Sequence, residues 1–213
     1  MNLMKHLLLT ICLVAIALAA TSTPARAAST VNWSASDTNG LAFANGTLVT
    51  EGTSLLRIGT FDISDANITA NKNDVSYLLA HFSTFGSGTV GQGATGYDGA
   101  WAIASPNGTP SFGNKQIYLW ALYPDPGSGT PTQEGIFYST LSNWKFPSDT
   151  DTGSTSLDLE EVDTALVGSL NGAANGWASL TTQMEIIVVP EPSAFLLVGM
   201  GLAALPLMRR RRK

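Results

Sequence analysis

Between residues 28 and 189 the chain runs as short apolar stretches, rich in β-branched and aromatic residues, broken by Gly, Asn, Asp and Pro. That rhythm predicts strands joined by tight turns. Candidate strands are Ser54 to Phe61, Ala100 to Ala104, Gln116 to Tyr123, Gly135 to Tyr138 and Gln183 to Val189. Gln116 to Tyr123 is apolar on both alternating faces, so it reads as a central strand covered on either side. Asn45-Gly46 separates Leu41 to Ala44 from Thr47 to Thr50. Because both residues tolerate positive φ, the pair predicts a hairpin closed by a type I′ turn.

Two stretches depart from this pattern. Val75, Leu78, Leu79, Phe82 and Phe85 recur at helical spacing behind Asn73 and Asp74, either of which can cap a first turn. A second helix is predicted from Leu157 to Leu166, with Asp158, Glu160 and Glu161 near its start, where the helix dipole favours anions. Together these elements predict a mainly β fold: a single antiparallel β-sandwich, jelly-roll-like, with one or two short helices. Roughly 160 residues suit one domain, and no Pro-rich linker or internal repeat divides them.

The two ends obey different rules. Lys5 precedes an apolar run from Leu7 to Ala20, whose 14 residues fall short of the about 20 a membrane span needs. Pro24-Ala25-Arg26-Ala27 then places Ala25 and Ala27 where a signal peptidase reads small residues, so residues 1–27 read as a signal peptide. At the other end, Pro190-Glu191-Pro192 precedes the apolar run Ala194 to Met208 and five cations, Arg209, Arg210, Arg211, Arg212 and Lys213. Fifteen residues of helix reach roughly 22 Å against a hydrocarbon core of about 30 Å. Gly199, Gly201 and Pro206 weaken that helix further. The cations stay on the cytoplasmic side, which puts Pro190 to Pro192 at the outer face of the membrane. Two prolines keep that junction extended and accessible.

A Pro-Glu-Pro tripeptide, a terminal apolar helix and an arginine run, in that order and behind an N-terminal leader, resemble the PEP-CTERM sorting signal of exosortase-processed proteins in Gram-negative bacteria. The resemblance covers about 24 residues, 190–213. It implies transient anchoring in the inner membrane, cleavage near the motif by a membrane-embedded cysteine protease, and release or transfer to the cell surface or extracellular matrix. Exosortase is the processing partner so implied, often in species that make exopolysaccharide, beside the signal peptidase that the leader calls for. Residues 28–189 also resemble a loosely related group of small exported domains bearing the same tail, through Ile58-Gly59-Thr60-Phe61, Tyr118-Leu119-Trp120 and Trp144-Lys145-Phe146-Pro147. That second likeness implies a domain boundary and no chemistry.

Charge narrows the partners. All 16 acidic residues lie between Asp37 and Glu191, but only Arg57, Lys72, Lys115 and Lys145 of the 11 cations do. Residues 28–192 therefore carry a formal −12, against −5 for the whole chain. Such a surface repels a phosphate backbone, which excludes nucleic acid as a partner. The one cysteine, Cys12, falls inside the leader, so the exported part has no disulfide, thiolate metal site or cysteine nucleophile. No cofactor is predicted.

Candidate chemistry is sparse. His81, the one histidine outside the leader, can serve as a general base or as an ordinary helix residue; no Gly-x-Ser-x-Gly nucleophile elbow accompanies it. Asp149, Asp151 and Glu160 fall at positions one, three and twelve of a calcium loop, with Asp158 between them, but the turn glycine, Gly153, comes one position early. A solvated acidic loop produces the same spacing. Trp33, Trp101, Trp120, Trp144 and Trp177 can stack on sugars or pack a core, and Trp101 and Trp177, beside glycine-rich turns, are expected at the surface. Two function classes follow: a non-catalytic surface or matrix protein, structural, adhesive or weakly exopolysaccharide-binding, and a secreted carboxylate-dependent polysaccharide hydrolase.

Overall fold

Each short apolar stretch becomes a strand once a neighbour supplies its backbone partners. The computed structural model describes residues 29–35, 40–43, 45–107, 112–149, 151, 153–170 and 184–189. The predicted leader, with Ala25 and Ala27, lies outside those residues, as do Trp177 and the predicted tail from Pro190 to Lys213. In chain order the elements are β1 (Ser29–Ala35), β2 (Leu41–Ala42), β3 (Leu55–Phe61), α1 (Asp65–Ala70), α2 (Val75–Ala80) and β4 (Phe82–Gly88). Then follow β5 (Trp101–Asn107), β6 (Tyr118–Tyr123), β7 (Gln133–Tyr138), β8 (Ser154–Asp158), β9 (Thr164–Val167), β10 (Ser169–Leu170), β11 (Met184–Glu185) and β12 (Ile187–Val188). The chain is mainly β, with two short helices.

The largest sheet runs β12-β7-β6-β3-β4, with β9 pairing the same edge of β7 as β12, farther along it. Its central strand is β6, inside the stretch that the apolar pattern singles out. Leu119 and Ala121 point into one hydrophobic cluster, and Tyr118, Trp120 and Leu122 into another on the opposite face. The first cluster also takes Val31, Trp33, Ile103 and Leu157 from the three-stranded sheet β5-β1-β8. The second takes Ile68 and Leu78 from the two helices. Both faces of β6 are thus covered. Fully burying side chains such as Trp120, Leu56 and Phe137 contributes about 1.5–3 kcal/mol each.

Several local expectations change under tertiary pairing. Two pairings, β1 with β8 and β2 with β11, run parallel, so the strands are not antiparallel throughout. Each joins segments far apart in the chain, where no hairpin imposes antiparallel sense. Asp74 does cap α2, accepting from the Tyr77 amide at 2.9 Å. That helix stops at Ala80, however, and Phe82 and Phe85 belong to β4, whose backbone is claimed by β3. They consequently face opposite clusters. The helix predicted from Leu157 to Leu166 is instead the end of β8, a single 3-10 turn at Leu159–Glu161 and most of β9. Of the strand predicted from Gln183 to Val189, Gln183 lies outside the described residues and the remainder divides into β11 and β12, which pair with different sheets.

The hairpin at Asn45-Gly46 forms with other turn chemistry. Gly46 donates its amide to Phe43 O at 2.8 Å and alone takes positive φ, +80°. Asn45 keeps negative φ, since Asn114 is the only described non-glycine residue with a positive one. A glycine closing a tight turn as a bulge suits the right-handed strand twist as well as a type I′ pair does. Among the described residues no helix is long and apolar enough to cross a membrane.

Candidate functional site

The acids, so numerous in the sequence, mostly serve turns. Among the described residues eight carboxylates accept a backbone amide: Glu51 from Gly96, Asp74 from Tyr77, Asp98 from Glu51, Asp125 from Gly127, Asp149 from Gly113, Asp151 from Gly153, Asp158 from Glu160 and Asp163 from Thr140. Side-chain capping of this kind satisfies amides that a short turn leaves unpaired. The calcium candidates are accordingly spread out. Asp149 reaches across to Gly113 at 2.9 Å, Asp151 closes its own turn at 2.8 Å, and Glu160 lies in the 3-10 turn that Asp158 caps. Among the described residues no three His, Cys, Asp or Glu side chains are placed to hold a metal ion.

His81 ends α2 as its C-cap and sets Nδ1 2.7 Å from Asp62 Oδ1. It is the only charged-type pair within bridging distance among the described residues. The Tyr77 ring lies 4.5 Å from the imidazole, centroid to centroid. Asp62 fixes the ring's orientation and leaves Nε2 as its other nitrogen. The dyad is exposed, and no nucleophilic side chain contacts it among the interactions the structure shows.

Trp101 is not at the surface. It is 0% exposed and stacks edge-on against Trp33 with centroids 6.0 Å apart. The glycine-rich segment before it folds back over β5 instead of lifting it into solvent, with Ala102 N donating to Gln92 O at 2.8 Å. Trp33, Trp120 and Trp144 are likewise buried. Trp33 Nε1 donates to Ser105 Oγ at 3.0 Å, and Trp144 Nε1 donates to Glu161 Oε2 at 3.0 Å. These four indoles build the core. The exposed large hydrophobic side chains among the described residues are Tyr97, Leu141 and Val188.

Two carboxyls in the second cluster escape sequence reasoning. Glu134 is fully buried in β7; Oε2 accepts from Trp120 Nε1 at 3.0 Å and Oε1 has no partner. Burial pushes its pKa up to about 7, against a smaller downward pull from the Trp120 hydrogen bond. Asp65, at the first position of α1, accepts from Tyr118 OH at 2.7 Å and Tyr138 OH at 3.0 Å on its two oxygens. Burial, and then the bond to Asp65, raises both phenol pKa values. The one sequence signal for Glu134 was an acid at the position two before Ile136, on the same strand face as that apolar residue.

The last described strand is where function and fold meet. Met184, Ile186 and Val189 are buried, while Val188 is 60% exposed. Ile186 N donates to Ala42 O at 2.9 Å, and Val189 N donates to Thr132 O at 2.7 Å. Between those anchors Ile187 sits opposite Glu134 and Val188 opposite Gln133. Pro190 is the next residue.

Residues 188–213 match the family described as the PEP-CTERM protein-sorting motif. This chain carries an exosortase sorting signal. The PEP-CTERM motif implies export, anchoring at a membrane for sorting, and later processing, with exosortase as the processing partner. Its match takes in Pro190, Glu191, Pro192 and the cluster from Arg209 to Lys213, and its first residue, Val188, is also the last residue of β12. No curated protein and no solved structure matches the chain.

Proposed function

We propose that this chain is a non-catalytic surface or extracellular-matrix protein of a Gram-negative cell. A signal peptidase removes residues 1–27, exosortase cuts near Pro190 to Pro192, and the domain over residues 28–189 acts as a structural or adhesive module. The observation that carries this reading is the PEP-CTERM motif joined directly to the domain's last strand. A tail with that order of parts serves whatever domain precedes it. The shared first cluster, with side chains from both the large sheet and β5-β1-β8, supports reading the domain as a jelly-roll-like sandwich.

Weak binding to exopolysaccharide is the adhesive form of the proposal. With four indoles in the core, sugar contact among the described residues falls to the exposed Tyr97 and to hydroxyl and carboxylate groups on the turns. Intact-mass measurement on protein from the envelope and medium tests delivery: the expected species lacks both the leader and the arginine end. Immobilised domain incubated with the host's exopolysaccharide tests adhesion; a folded domain that retains none removes the adhesive role.

A secreted carboxylate-dependent hydrolase is the second reading, for which the exposed carboxylate of Asp62, 2.7 Å from His81 Nδ1, is the group the dyad offers. Under it, Asp62→Ala abolishes release of reducing sugar from the same polysaccharide. Under the first reading no such release occurs from either protein.

A further inference from the structure

We propose that β12 must leave β7 before the tail is cut, so that the folded domain restrains its own processing. This rests on the exosortase reading above. Cutting breaks one peptide C–N bond; the acyl carbon passes to the peptidase's nucleophile and then to water or an acceptor amine, and the tail departs with a new amino terminus.

The restraint follows from the absence of a spacer. Val188 is at once the first residue of the sorting motif and the last of β12. Immediately before Pro190, the Val189 amide is held by Thr132 O at 2.7 Å and the Val189 side chain is buried. Five residue steps separate Val189 from Ala194, where the apolar run begins, a reach of at most roughly 17 Å. A peptidase embedded in the membrane therefore meets the domain within that distance of the surface. An extended substrate offers its backbone amides and carbonyls to the enzyme's cleft, and on the N-terminal side of Pro190 the Val189 amide already faces β7, as do the backbone groups of Ile187 opposite Glu134. Both cannot be satisfied together.

Opening is nonetheless local. The β12–β7 ladder comprises two residue pairs and the single flanking bond from Val189. Short terminal pairings open at far lower free energy than the whole fold. Processing should then follow the fraction of time β12 is detached.

A disulfide tests this. Because Val189 N donates to Thr132 O, the preceding pair, Val188 and Gln133, falls at a non-hydrogen-bonded position, where Cα atoms approach about 4.5 Å and a disulfide fits. Val188 faces solvent, so the bridge leaves the core intact. The full chain carrying Gln133→Cys and Val188→Cys is expressed in a host that has the peptidase, and the arginine end is followed by intact mass. Oxidation is expected to slow loss of that end by about tenfold or more, and reductant to restore it. A second chain adds about ten Gly/Ser residues between Val189 and Pro190 to the same pair, enough flexible length to free the motif; it is expected to be cut at the unbridged rate even when oxidised.

Equal processing of bridged and reduced chains overturns the proposal, and so does a spacer that fails to rescue. An unaltered chain that keeps its arginine end in that host overturns the exosortase reading itself, and this inference with it.

Discussion

The indole nitrogen of Trp120 donates to Glu134 Oε2 at 3.0 Å, and both side chains are fully buried. Glu134 gives up its proton near pH 4.5 when unfolded and at about 7 in the fold, chiefly through burial. Between those values the native state holds one proton more than the unfolded chain, so stability falls as pH rises through that window and stays lower above it. The linked loss is on the order of 3 kcal/mol. Glu134→Gln keeps an acceptor for Trp120 and has no charge to bury. In urea melts from pH 4 to 8, the variant's stability relative to the parent should climb by that amount. Parallel pH profiles would show that Glu134 does not titrate in the fold.

Asp65 ties α1 to the sheet through two phenols. Removing the carboxylate in Asp65→Ala leaves Tyr118 OH and Tyr138 OH without their acceptor, at an expected cost of about 1.5–3 kcal/mol. It also removes a cause of the raised phenol pKa values. Absorbance titration of tyrosinate should therefore show two groups ionising at lower pH in the variant. An unchanged titration curve in a folded variant would refute the clamp.

β4 and β5 approach so closely that Gly86 has no room for a side chain: a Cβ there would lie 2.1 Å from Ser105 Oγ. Ser105 is itself held by Trp33 Nε1. Gly86→Ala should cost about 1–3 kcal/mol by forcing those strands apart, and should shift Trp33 fluorescence. Gly52, with φ +73° and nothing within 4 Å of an added Cβ, isolates the backbone contribution. Gly52→Ala is expected to cost only about 1 kcal/mol. Equal losses at the two sites would mean that packing against Ser105 is not limiting.

Calcium should leave the melting temperature unchanged. Asp149, Asp151 and Asp158 each accept a backbone amide, and they and Glu160 do not converge. Any site in the folded form would raise the midpoint as ligand increases, by linkage. A rise of several degrees at millimolar calcium, about what hundredfold saturation gives, would place a site in this loop after all.

What the sequence determined alone is whatever depends on local chemistry read in order. The sorting tail is legible because its parts work by succession: prolines that stay extended, an apolar run, then cations. Strand positions were legible where both side-chain parities are apolar, as in Tyr118 to Tyr123, and a cap before Val75 was legible as Asn73 or Asp74, between which the structure chose Asp74.

Only tertiary structure decided partners. Phe82 and Phe85 share one face of a helix and opposite faces of a strand, and it is pairing with β3 that makes them strand residues. Leu157, placed by pattern in a helix, pairs with Trp33, more than a hundred residues away. Trp101, which follows a glycine-rich segment, is buried because distant segments close over it, and Glu134 is buried because it lies opposite Leu122 on the sheet face that the second cluster covers. Alternation along a strand specifies which way a side chain points. Which element covers that side is set by contacts between segments remote in the chain, and no local pattern encodes them.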